Sequence, residues 1–88
     1  MSMYRFTEWL ERNGFEYRCS LKPYAITGRD GVVVEVPNVA PDVDRHYRLM
    51  VVSNFGRVDG RVRVRYGHRE RLLRTFEVCE MLEKGVWS

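Results

Sequence analysis

The chain has 88 residues, 44% of them apolar and 31% charged, and a formal net charge of +3. That length makes a single compact domain spanning residues 1–88, and the composition is too apolar for disorder. No apolar run approaches the roughly 20 residues of a membrane span, and acids stand in MSMYRFTEWLERNG where a signal peptide needs an apolar stretch, so the expectation is a cytoplasmic protein with no membrane partner.

Phe6, Trp9 and Leu10 fall at helical spacing, with Ser2 or Thr7 available as a cap and Asn13-Gly14 as a stop. FEYRCSL (residues 15–21) alternates without a fault, which predicts a strand with Phe15, Tyr17, Cys19 and Leu21 on one face. Pro23 breaks it. Residues 24–27 and 32–36 flank Gly-Arg-Asp-Gly and read as a hairpin, the second arm carrying three consecutive valines. PNVAPDVD (residues 37–44) reads as an irregular loop.

A further strand follows, in which Tyr47, Leu49 and Val51 alternate with Arg48, Met50 and Val52, Tyr47 being of the inward parity. Residues 54–60 turn the chain, with Asp59-Gly60 the strongest local signal, and residues 61–66 form the last strand. Gly67 ends it. Residues 69–84 are predicted as a closing helix with Leu72, Leu73, Phe76, Cys79 and Leu82 along its stripe and Gly85 at its end. The order gives an α+β fold: a short N-terminal helix, four to five mostly antiparallel strands, and a C-terminal helix packed on the sheet.

The charge is uneven. Residues 1–56 hold seven basic and seven acidic groups, residues 57–75 seven against two, and residues 76–88 one against three. Arginine outnumbers lysine thirteen to two, and a guanidinium fork suits phosphate or carboxylate in a way an ammonium does not. In RVRVRY (residues 61–66) strict alternation turns Val62, Val64 and Tyr66 inward and sets Arg61, Arg63 and Arg65 on the other face, about 7 Å apart. A row with that repeat can follow a nucleic-acid backbone. Arg57 in the turn, and Arg69 and Arg71 in the first turn of the closing helix, extend it, and the helix start adds partial positive charge. The plainer reading is a solvated face whose charges discourage edge-to-edge association, neutralised across strands by Glu16, Glu35 or Asp44.

Val52-Ser53-Asn54-Phe55-Gly56-Arg57-Val58 resembles the VSN-x-GRV core of the small modular DNA-binding motif found beside homing-endonuclease domains. The resemblance covers seven residues. That motif has an aromatic where Met50 stands and an upstream tryptophan with no suitable counterpart, and a turn can reach Ser-Asn-x-Gly for its own reasons, because Asn and Gly accept positive φ.

Other chemistry finds little footing. Cys19, His46, His68 and Cys79 lack the close pairing of zinc ligands, and two distant cysteines make no disulfide framework. Asp30 and Glu35 faintly suggest a metal-dependent nuclease pair, but Val36 and Pro37 follow where such a site has lysine. No nucleophile elbow or phosphate-cradling glycine loop is present. The expectation is therefore a non-catalytic binding protein without a cofactor. Its leading partner is a DNA or RNA backbone met by Arg57, Arg61, Arg63, Arg65, Arg69 and Arg71. The alternative is a protein–protein interaction module, or a small regulator or homo-oligomer, with no nucleic-acid ligand and with Trp87 and Val86 as exposed anchors.

Overall fold

Ser2 starts the first helix: its Oγ accepts the Arg5 amide at 3.2 Å, one of the donors a first turn leaves without an intrahelical partner. The computed structural model, which describes residues 2–20, 31–37, 39–40, 42–44 and 47–85, carries this helix, α1, from Met3 to Arg12. Asn13 and Gly14 (φ 75°) end it, and the strands β1 (Tyr17–Ser20), β2 (Gly31–Glu35), β3 (Leu49–Ser53), β4 (Arg61–Tyr66) and β5 (Arg69–Arg74) follow. Helix α2 (Thr75–Lys84) closes the described chain. The five strands form one sheet in the order β1-β2-β3-β4-β5, each antiparallel to its neighbours. The α+β architecture expected from the sequence is the one observed.

Alternation then decides which side chains meet. Val32 and Val34 of β2, Met50 and Val52 of β3, Val62 and Val64 of β4 and Leu73 of β5 point to one face. There they join Phe6 and Leu10 of α1 and Val78, Cys79 and Leu82 of α2 in a single core. Both helices therefore cover the same side of the sheet. Each large apolar side chain withdrawn from water in this way contributes about 1.5–3 kcal/mol. Among the described residues no helix lies on the opposite, outer face of the sheet.

Three details depart from the sequence reading. Met50 and Val52, not Leu49 and Val51, are the inward residues of β3, and Tyr47 lies ahead of the strand at 39% exposure. Both parities of that strand are apolar, so periodicity alone could not choose between them. Residues 69–74 are strand rather than helix: Gly67 and His68 form a two-residue hairpin loop, and β5 pairs with β4 over its whole length, from Arg61↔Arg74 to Tyr66↔Arg69. Without β5, the far side of β4 would hold a row of unpaired amides and carbonyls, and pairing satisfies them. Phe76, assigned to the apolar stripe of the helix, is 56% exposed, and Thr75 is buried instead. The strand expected at residues 24–27, its turn at residues 28–30, His46, Val86 and Trp87 lie outside the described residues. Among the described residues no helix is long and apolar enough to cross a membrane.

Candidate functional site

The β4–β5 ribbon carries the arginines, and its register divides them. On β4, Arg61, Arg63 and Arg65 alternate with the core valines, so all three occupy the outer face. On β5 the residues opposite them are Arg74, Leu72 and Glu70, which share that face. Arg69 and Arg71 stand opposite Tyr66 and Val64 and so belong to the helix side, both exposed at the sheet edge. They do not extend the row as the sequence suggested, because a strand sends alternate residues to opposite faces where a helical turn would have gathered them. The helix start has also moved, to Thr75, and its first turn already holds an acid, with Glu77 accepting the Arg74 amide at 3.0 Å. A guanidinium has no acceptor, so the Arg74 side chain returns no bond to the helix.

Across the sheet the outer face continues through aligned positions. Arg65 lies opposite Val51, Val51 opposite Val33, and Val33 opposite Arg18. Leu49 and Glu35 form a parallel row nearer the β2–β3 connection. Val33, Leu49 and Val51 are half-buried, and Leu72 is 42% exposed. Among the described residues, the strand positions of this face hold five arginines, Arg18, Arg61, Arg63, Arg65 and Arg74, against two acids, Glu35 and Glu70. Arg18 and Arg74 escape sequence reasoning for one reason. Their membership depends on strand order and on β5 being a strand.

Among the described residues it is Glu70, not Glu16 or Glu35, whose carboxylate comes within 4 Å of the row. Its Oε1 lies 3.2 Å from Arg63 Nε and its Oε2 3.9 Å from Arg65 Nη2, so one carboxylate bridges two guanidiniums on the same strand. These groups are roughly half exposed, and such pairs stabilise the fold by at most about 1 kcal/mol. Arg57 is engaged more tightly. Its Nε and Nη2 donate to Asp59 Oδ1 and Oδ2 at 3.1 and 3.0 Å in a two-pronged fork. That fork, together with the Arg61 amide donating to Oδ1 at 3.2 Å, lowers the Asp59 carboxyl from 3.8 to about 2. Arg57 is correspondingly raised. The row is therefore cationic but partly neutralised, and Arg57 sits in a closed turn pair at its margin.

The VSNFGRV stretch is accounted for by this local geometry. Val52 and Ser53 end β3, and Asn54 is the described non-glycine residue with positive φ, 68°. Asn takes that conformation more readily than most residues, which is why it stands at the turn.

A cleft of about 380 Å³ opens where Arg18, Glu35 and Leu49 meet Val36, Val39 and Arg48. A second, of about 620 Å³, lies between Val43, Tyr47, Tyr66 and Leu82. Among the described residues no three His, Cys, Asp or Glu side chains gather to hold a metal ion. Cys19 is exposed on β1, whereas burial of the inner face of α2 pushes the Cys79 thiol up to about 11 and keeps it protonated at neutral pH. Comparison with protein-family models, curated proteins and solved structures finds no match for the chain.

Proposed function

We propose that the protein is a non-catalytic binder of nucleic-acid backbone and that the outer sheet face is its contact surface. The supporting observation is that, among the described residues, the strand positions on the side away from the helices collect Arg18, Arg61, Arg63, Arg65 and Arg74 against Glu35 and Glu70. Guanidiniums about 7 Å apart along β4 match the scale on which backbone phosphates recur. No cofactor takes part, and this reading belongs to a cytoplasmic protein, in keeping with free cysteines at Cys19 and Cys79.

Backbone contact releases counterions, so affinity falls steeply with salt. Binding of fluorescent mixed-sequence duplexes and single strands, DNA and RNA, is measured at 50 and 200 mM salt. With four to five phosphates contacted, the expected loss between these conditions is roughly 10²–10³-fold for a duplex. An Arg61/Arg63/Arg65→Ala variant should bind more weakly and with a shallower salt slope. Equal binding by the two proteins, or binding by neither, defeats the proposal.

A second reading takes the same face as a docking surface for another protein chain, a second copy included. It is favoured by the half-buried Val33, Leu49 and Val51 beside the exposed Leu72. Light scattering over a concentration series separates the two, since a strict monomer that binds nucleic acid counts against self-association.

A further inference from the structure

Glu70 shows what the β4–β5 ribbon does with a pair of neighbouring guanidiniums: an oxyanion sits between them and touches both. A second such pair stands at the other end of the ribbon. Arg61 and Arg74 are directly opposed across the two strands, both on the outer face and both exposed. Like charges at directly opposed positions repel, and their Cβ atoms are only about 4.5–5.5 Å apart. Among the described residues neither guanidinium has a carboxylate within 4 Å.

The acid of the adjoining turn is already committed. Asp59 gives both oxygens to the Arg57 fork and accepts the Arg61 backbone amide as well. The Arg74 guanidinium reaches back toward the same turn, with its Nη1 3.9 Å from where a Cβ on Gly60 would stand. The end of the ribbon therefore brings Arg57, Arg61 and Arg74 to one turn, whose carboxylate is held by the Arg57 guanidinium.

The geometry points to a phosphate seat shared by Arg61 and Arg74, occupied by one phosphate group of the bound nucleic-acid backbone. It deepens the function proposed above and rests on it. The seat relieves the repulsion between the two guanidiniums and offers forked donors from both strands to one phosphate. Arg63 and Arg65, bridged by Glu70, are the neighbouring contact along the strand, with their intramolecular oxyanion in competition with a second phosphate.

The test uses the full chain, mixed-sequence duplex and single-stranded oligonucleotides, and inorganic phosphate as a separate probe. Arg61→Gln and Arg74→Gln are made singly and together, with Arg71→Gln on the other face as control, and folding is checked by circular dichroism. Glutamine keeps the backbone amide that Glu77 accepts from Arg74. The double variant should bind the duplex roughly tenfold more weakly at 0.1 M salt, with a log–log salt slope shallower by about 0.9, the contribution of one phosphate. Arg71→Gln should match the wild type. A slope shallower by about 1.8 would mean two separate phosphates and overturn the shared seat. Wild-type affinity and slope in the double variant would also overturn it, while leaving backbone binding through Arg63 and Arg65 standing. Failure of every protein to bind either oligonucleotide removes the nucleic-acid reading and the seat with it, and tight binding of inorganic phosphate alone would assign the arginines to a free anion instead.

Discussion

Asp59 does two jobs with one carboxylate. It holds the Arg57 fork, and it accepts the amide of Arg61 at the first residue of β4. The Arg57 hydrogen bonds come first among the causes that take its pKa from 3.8 to about 2, followed by the Arg61 amide. A carboxyl depressed in the folded state contributes stability above its unfolded value, and that contribution disappears as pH falls through the folded one. Asp59→Asn should therefore melt below the wild type at neutral pH, and the gap should close between about pH 4 and pH 2. Thermal melts across that range provide the check, and a gap that stays constant down to about pH 2 would remove Asp59 from the account. Glu70 is the other residue whose setting the linear sequence disguised. Read one helical turn from Arg74 it is an ordinary surface pair, but in a strand it faces Arg65 and reaches Arg63.

At the scale of elements, the Gly67-His68 loop decides the most. Gly67 has φ 62°, the sense that glycine supplies at the first position of a II′ hairpin turn, and a Cβ there would come within 2.6 Å of Tyr47 Cε1. Gly67→Ala should cost about 1–2 kcal/mol from the left-handed backbone alone, with displacement of the Tyr47 ring added. For a domain of this size that is a fall in melting temperature of roughly 5–15 °C. An unchanged melt would show that the loop has another conformation. Strands whose two faces differ in polarity were legible in advance: RVRVRY could be read as β4 with its faces correctly assigned. RERLLR could not, because β5 lies at an edge with most of its side chains exposed, leaving little alternation to detect. Its adjacent leucines and its acid–base spacing fit a helix equally well, and only the need of β4 for a partner decides the matter. The same limit hid the inward face of β3, where LMVV is apolar on both sides.

At the scale of the molecule, one core serves the whole described chain, so a single deletion within it is felt everywhere. Phe6 is fully buried, with its ring centroid 5.7 Å from that of Phe55, and it links α1 to the sheet. Phe6→Ala should cost about 3–5 kcal/mol, against a total stability on the order of 4–13 kcal/mol for 88 residues. Urea titration would then show a midpoint lowered by about a quarter or more, and a small shift would mean that α1 is not bound into the core. The arginine-rich stretch was visible in the sequence as a list of charges. Which of them share a face became visible only with the register, since Arg18 joins from the opposite edge and Arg69 and Arg71 depart to the other side. The order β1-β2-β3-β4-β5 carries a last consequence, for how the chain reaches this state. Each described strand lies beside the described strand made before it, so among them no pairing waits on a distant partner and each loop closes at small entropic cost. The sheet can assemble like a pleated screen, panel by panel, as the chain emerges during synthesis.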